Sequence, residues 1–334
     1  MKKAAVSLLL FAALGAAGCG SSSTSNSSST SSSAPAAATS SAAATSSAAG
    51  TSSAAAAATS CPHNPVRFAV EPYDTGPALE KAYGSLATDI GQALGCKVQL
   101  IISNSYVAEI EAMRGGNLEM GEFGPLGYIL AHKIANAQPV AAFGDKSGKP
   151  DVYTAGIWVK KSSPITSLKQ LSGKKIALSS TTSTSGGLYP ISALINAGFK
   201  CTVSGCQGLK VIYAGGHPES LLALTHGTVD AAEVNSQQQA SAAKAGQFKA
   251  SDYREIWKST PIINDPITVY GNLSPAFQQK VKKALLSLSA AQTATVDTEL
   301  GTASNGPMVA ANDGLYNQVR AVANAVHLSP KDLG

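Results

Sequence analysis

From Arg67 onward, short apolar runs alternate with stretches whose apolar residues recur at helical spacing, and that alternation restricts the chain to an α/β fold. Arg67–Val70 reads as a strand. Leu79, Tyr83, Leu86, Ile90 and Leu94 then fall on one helical face, and Gly95 supplies a C-cap. Val98–Ile102 reads as a strand. Ser103–Ser105 can cap a helix through Arg114, which Gly115–Gly116 stop. Leu118–Phe123 is a strand, Gly124–Pro125 a turn and Tyr128–Ala135 a helix. Further strands are expected at Val140–Phe143, Thr154–Val159, Ile176–Leu178, Val211–Tyr213, Val229–Val234 and Glu255–Trp257. A helical turn is expected at Leu168–Leu171, and closing helices at Pro275–Leu288 and Leu315–Val326. Short buried strands between helices predict mostly parallel sheets. Roughly 270 residues exceed one comfortable core, so two lobes are expected.

The N-terminus sets the compartment. Lys2 and Lys3 precede an apolar run, Ala4–Leu14, and then Ala16–Ala17–Gly18–Cys19, the plan of an export signal. The run is too short to span a bilayer comfortably. Residues 20–60 are almost only Ser, Ala and Thr, with no apolar side chain larger than alanine, so they cannot build a core and read as a tether. As a random coil that tether would span roughly 35 Å.

Loss of residues 1–18 removes two lysines and no acids, leaving 23 basic against 20 acidic residues. That balance, with the basic residues scattered, gives no basis for nucleic-acid binding. Cys61, Cys96, Cys201 and Cys206 remain, an even number that favours two disulfides in an exported chain. Of the three possible pairings, Cys61–Cys96 with Cys201–Cys206 is preferred. Zinc is disfavoured because no histidine lies near either pair at ligand spacing.

The segment Leu178–Ser179–Ser180–Thr181–Thr182–Ser183–Thr184–Ser185–Gly186–Gly187–Leu188–Tyr189 reads as strand, turn and helix. Its hydroxyls and free backbone N–H groups sit at a helix start, which carries partial positive charge and can hold an oxyanion without Lys or Arg. The same residues also fit an ordinary Ser/Thr helix cap.

Several segments together resemble the phosphate/phosphite/phosphonate substrate-binding proteins of ABC importers. Tyr106–Arg114, with Ile110–Glu111–Ala112–Met113–Arg114, is similar to that family's Tyr-x-x-x-Ile-Glu-Ala-Met-Arg helix. Phe123–Gly124–Pro125 with Tyr128 resembles its Phe-Gly-Pro-x-x-Tyr turn, and Ser183–Gly186 its Ser-Thr-Ser-Gly helix start. Gly215–Gly216–His217 stands for Gly-Ser-His, and Val229–Asp230–Ala231 for a Val-Asp-Ala strand. Trp257–Lys258–Ser259 with Asp265–Pro266 resembles Trp-x-Ser…Asp-Pro. Cys19 resembles a lipobox cysteine, which implies cleavage before it and a diacylglycerol on its sulfur.

The resemblance implies a type II periplasmic-binding fold with two α/β lobes, two crossover strands and a ligand cleft. Residues 1–18 would be the signal peptide, 19–60 the tether, 61–157 and 262–334 lobe one, and 158–261 lobe two. It implies a non-enzymatic binding lipoprotein with no cofactor or metal. The protein would sit on the outer face of the cytoplasmic membrane or in the periplasm. There it would pass a phosphorus oxyanion to a permease and ATPase, for the chain has no Walker-type loop of its own.

By the same resemblance, Tyr106, Ser183, Thr184, Ser185 and His217 would donate hydrogen bonds to the anion. Asp265 would accept one from a protonated P–OH, which disfavours sulfate. Tyr106 also suits a core position, His217 a structural one and Asp265 a turn before proline. Gln237 stands near where relatives that bind aminoalkyl phosphonates carry an acid, and Phe123 where some carry tyrosine. Both departures lean toward a small oxyanion without an amine. Rival readings are a binding protein for another oxyanion, such as a sulfonate, and a serine hydrolase built on Ser183 or Ser185 with His217 and Asp265. The chain has no Gly-x-Ser-x-Gly elbow to support the hydrolase.

Overall fold

A computed structural model describes residues 60–74, 77–300 and 305–328; the expected signal segment, Cys19 and the tether up to residue 59 lie outside the described residues. The strands are β1 (Val66–Val70), β2 (Val98–Ile102), β3 (Met120–Glu122), β4 (Ala137–Asp145), β5 (Val152–Tyr153), β6 (Gly156–Lys160), β7 (Lys175–Leu178), β8 (Cys201–Thr202), β9 (Gly205–Cys206), β10 (Lys210–Tyr213), β11 (Ala231–Glu233), β12 (Tyr253–Lys258), β13 (Ile262–Ile263), β14 (Pro266–Tyr270) and β15 (Asn305–Ala310). The helices are α1 (Pro77–Leu94), α2 (Tyr106–Arg114), α3 (Pro125–Ala135), α4 (Tyr189–Asn196), α5 (His217–Thr225), α6 (Ser236–Lys244), α7 (Pro275–Leu286), α8 (Ala290–Leu300) and α9 (Asn317–Ala325).

Two large sheets organise these elements. The first runs β2-β1-β3-β14-β4-β15 and the second β10-β7-β11-β6-β12. On one face of the first sheet, Phe68, Tyr83, Leu86 and Ile90 pack with Phe277, Val281 and Leu285 of α7. On the other, Ile110, Leu126 and Tyr128 pack with Tyr316 and Val319. In the second sheet, Ile157, Ile176 and Leu178 face Ile191 and Leu194 of α4. Its other face carries Trp158, Ala177 and Ala232 against Leu221, Leu224 and Phe248. Each fully buried large apolar side chain removes enough surface from water to contribute about 1.5–3 kcal/mol.

The expectation of mostly parallel sheets needs correction. Among the described residues only β1–β2, β1–β3, β7–β10 and β7–β11 pair in parallel, and the other neighbours in both sheets are antiparallel. The cause is the path of the chain. β4 leaves the first sheet and β6 enters the second, then β12 leaves the second and β14 re-enters the first. Each of these joining strands runs against its neighbours. β14 is a strand the sequence reading does not include, although Ile267–Thr268–Val269 alternates apolar and polar. Its proline is tolerated because it stands at the first position of the strand.

The two joining segments meet as a two-stranded antiparallel ribbon, Ile262 opposite Tyr153 and Ile263 opposite Val152. Both cysteine pairs are closed, Cys61–Cys96 across a sequence separation of 35 and Cys201–Cys206 across 5. The first ties the chain ahead of β1 to the chain ahead of β2. The second closes the β8–β9 hairpin.

Loop-closure entropy makes the two bridges unequal: about 4 kcal/mol for the larger loop and about 2 kcal/mol for the smaller. Urea melts of C61S/C96S and C201S/C206S are therefore expected to show the larger loss of stability in the first variant.

Candidate functional site

β7 ends at Leu178, and the hydroxyl-rich turn follows at its carboxyl end. The turn closes as a short π-helix, Thr184–Leu188, with the Leu188 N–H donating to the Ser183 carbonyl at 3.0 Å. Single π turns inside helices recur at functional sites. Ser183 is the N-cap, its Oγ accepting from the Gly186 N–H at 3.1 Å. Glycine is required at 186, because a Cβ there would lie 2.4 Å from the Ser179 Cβ and 2.8 Å from the His217 ring. The absent side chain is what lets the imidazole approach the turn.

His217 opens α5 just beyond the carboxyl end of β10. Its Nδ1 lies 2.7 Å from the Glu233 Oε1, and its Nε2 lies 3.3 Å from the Ser183 Oγ. The Glu233 carboxylate at the end of β11 therefore accepts a hydrogen bond from the Nδ1–H and aims Nε2 at the turn. Burial pushes the imidazole down, and the Glu233 carboxylate more than offsets it, leaving His217 above its ordinary value. Asn235, the cap of α6, donates from Nδ2 to the Ser185 Oγ at 3.2 Å.

The first sheet contributes from the opposite side. Tyr106 starts α2 after β2 and is 2 % exposed. Its hydroxyl lies beside the Ser179 and Ser183 hydroxyls. Neither the Tyr106 hydroxyl nor the Ser179 Oγ has a hydrogen-bond partner of ordinary geometry among the described residues. The Leu126 N–H at the start of α3 donates to the Thr184 Oγ1 at 2.9 Å, so a hydroxyl of one sheet caps a helix of the other. Tyr153, in the joining ribbon, has its phenol pushed up by burial, opposed by the Thr184 and Ser185 hydroxyls.

Acids line the same region. Asp265 precedes β14, and its Oδ1 is buried without a partner among the described residues. Burial raises its carboxyl to about 7, with His217 opposing. Glu71 follows β1, and burial raises it well above the usual carboxylate range, aided by the Glu109 and Asp265 charges and opposed by the Gly124 N–H. Burial likewise raises Glu109 and Glu122. A cavity of about 20 Å³, room for one water-sized group, lies between Asp265, Glu122, Tyr73, Tyr83, Gln237 and Asp297. Among the described residues no group of three or more His, Cys, Asp or Glu could hold a metal ion.

Of the residues singled out in the sequence, the structure brings Tyr106, Ser183, Thr184, Ser185, His217 and Asp265 toward one interior region between the sheets. Gln237 stands at its edge, its Nε2 donating to the Asn264 Oδ1 at 3.3 Å. Phe123 is wholly buried in the apolar cluster with Leu126 and Tyr128, behind the polar wall. The third member of the serine–histidine–acid alignment is Glu233, not Asp265. Sequence reading missed Glu71, Tyr153, Glu233 and Asn235, and had Ser179 only as one of the hydroxyls of the turn. The available signals were an acid directly after the β1 run and an acid inside the apolar run Val229–Val234.

Comparison with known proteins fits this geometry. Residues 68–312 match the family described as ABC transporter, phosphonate, periplasmic substrate-binding protein. The chain belongs to this family. It is 28% identical over 223 residues to the phosphate-import protein PhnD of Mycolicibacterium smegmatis, covering 65% of this chain and 70% of that one. The structure resembles a binding component of an ABC phosphonate transporter from Pseudomonas aeruginosa, with TM-score 0.70, 21% identity, and 79% and 87% of the two chains covered. It also resembles PhnD1 of Prochlorococcus marinus in complex with methylphosphonate, with TM-score 0.68, 19% identity, and 79% and 98% covered. The two-lobe periplasmic-binding fold expected from the sequence is thus the fold of this phosphonate-type binding protein.

Its buried acids set a pH dependence of stability. Folded Asp265 keeps its proton up to about pH 7, whereas an unfolded Asp releases it near pH 4. Between those values the folded state binds more protons, so stability falls as pH rises through the window and levels off above it. Glu71, Glu109 and Glu122, also raised, act in the same direction. Melting of ligand-free protein is expected at lower temperature at pH 8 than at pH 5, with Asp265→Asn reducing the difference.

Proposed function

We propose that the region between the two sheets captures a small phosphorus oxyanion (phosphite, phosphate or a simple alkylphosphonate) and delivers it to a membrane permease driven by a separate ATPase. The supporting observation is the pair of buried hydroxyls of Tyr106 and Ser179, side by side next to the Ser183–Ser185 turn and without a hydrogen-bond partner of ordinary geometry among the described residues. A buried donor without an acceptor costs about 1–3 kcal/mol. An oxyanion at this point supplies acceptors to the hydroxyls and to the backbone N–H groups of the turn at once. His217, whose imidazole Glu233 holds above its ordinary value, adds a ring N–H donor without a lysine or arginine.

Asp265 rests on the opposite side, where it shares a proton with a P–OH. The names of relatives point to the same ligand class: a phosphate-import protein and a protein in complex with methylphosphonate. Ligand groups come from both sheets, so binding favours their approach, and the β5–β13 ribbon is the hinge. Capture without turnover is the reading, because the Ser183 hydroxyl is engaged as a helix cap by the Gly186 N–H. We also propose that Cys19 carries the lipid anchor, so that Cys19→Ser releases the protein from the membrane fraction.

Calorimetric titration with phosphite, phosphate, methylphosphonate, 2-aminoethylphosphonate and sulfate tests the ligand. A phosphorus oxyanion without an amine is expected to bind most tightly, and strongest binding of the aminophosphonate overturns that choice. Tyr106→Phe and Ser185→Ala are each expected to weaken binding about 10- to 100-fold, the loss of one hydrogen bond to a charged group. Thermal melting checks that the variants remain folded.

A further inference from the structure

Two of the hydrogens that an anion would meet at the hydroxyl turn depend on a residue that does not face it. Glu233 ends β11, the central strand of the second sheet, and is wholly buried. Its Oε1 lies 2.7 Å from the His217 Nδ1, behind the imidazole as seen from the turn. A carboxylate only accepts, so the ring nitrogen facing it carries a hydrogen. In the neutral imidazole that hydrogen has a fixed place, and Nε2 is left as a bare acceptor.

Nε2 faces two groups, the Ser183 Oγ at 3.3 Å and the Asn235 Nδ2 at 3.4 Å. The Asn235 amide is oriented by its own cap, its Oδ1 accepting the Gln238 N–H at 2.8 Å, so Nδ2 offers only hydrogens. The Ser183 Oγ already accepts the Gly186 N–H and has one hydrogen to give. Beside a neutral ring that hydrogen goes to Nε2, and an incoming anion meets neither it nor a ring hydrogen. Once the ring is protonated, Nε2 stops accepting. The Ser183 hydrogen is then free for the ligand, and Nε2–H is a second donor. The charged and titratable groups acting on the ring are Glu233, Asp265 before β14 and Asp74 after β1, while Tyr106 of α2 stands against the Ser183 hydroxyl. No lysine or arginine is among them.

We infer that Glu233 is a positioning residue for anion capture: by keeping a hydrogen on Nδ1, it makes the Nε2 and Ser183 hydrogens available to the ligand only together, when His217 takes up a proton. This rests on the oxyanion reading given above. It adds a proton that enters on the protein, distinct from the one that Asp265 shares with the ligand. Glu233 acts through the ring. Removing its charge withdraws the partner that holds the imidazolium in a buried setting, so capture then requires a more acidic solution.

The test combines nitrogen NMR of the histidine rings with calorimetry, on the mature chain carrying Cys19→Ser, with methylphosphonate as probe and His217→Asn identifying the His217 signals. In the ligand-free protein the neutral His217 ring is expected to carry its hydrogen on Nδ1. Saturating methylphosphonate is expected to keep the ring protonated about one pH unit higher or more, a roughly tenfold coupling between proton and anion. Glu233→Gln keeps the shape and removes the charge. It is expected to weaken methylphosphonate binding about tenfold or more at pH 7.5 and less than about threefold at pH 5.5, whereas a merely structural loss is equal at both. A folded E233Q with the same loss at pH 5.5 and pH 7.5, or with none, overturns the inference alone. A neutral wild-type ring with its hydrogen on Nε2 overturns it too, with no variant needed. Absence of binding to every phosphorus oxyanion overturns the oxyanion reading and this inference together.

Discussion

The bond from the Leu126 N–H to the Thr184 hydroxyl joins the two sheets where the site is built. Gly124, the residue before α3, has no side chain to cap the helix, so the cap comes from the other sheet. The bond fixes the hydroxyl turn against the α3 start and sets the distance across which Tyr106, Asp265 and Glu71 face Ser179, Ser183 and His217. Were α3 capped from its own sheet, the two sheets would lose this shared donor and acceptor.

The acids on the first sheet explain why the site needs no basic residue. A phosphorus oxyanion is usually met by arginine or lysine. Here positive character is confined to the imidazole of His217 and the partial charge of a helix start. Burial raises the surrounding carboxyls above their ordinary values, which ties the charge state of the site to protons. A low local dielectric makes each such group sensitive to its neighbours, and the Glu71, Glu109, Glu122 and Asp265 carboxyls are best understood as one titrating assembly.

Much of the fold was legible in the sequence. A buried parallel strand such as Ile176–Leu178 shows as an unbroken apolar run, and Gly95 and Gly115 mark helix ends. What was not read was β14, where a strand begins on proline, and the two-residue strands β5 and β13, too short to carry any periodicity. In the site, the hydroxyl turn announced itself by composition. Tyr106 and Asp265 came from motif resemblance. Asn235, Glu233 and Tyr153 did not, because their roles depend on a neighbour brought from elsewhere in the chain: Ser185, His217 and the Thr184 hydroxyl. Glu71 looked like a residue ending a strand before Pro72, and only the glycines at 124 and 127, where a side chain would meet its carboxyl, show the space made for it.

The connecting ribbon carries a last consequence. Tyr153 lies in one of its strands, and Asp265 follows two residues after Ile263 in the other. On the proposed reading, the peptide that bends when the halves move also carries residues that meet the ligand. On that reading a substitution at these positions alters ligand preference and closing together.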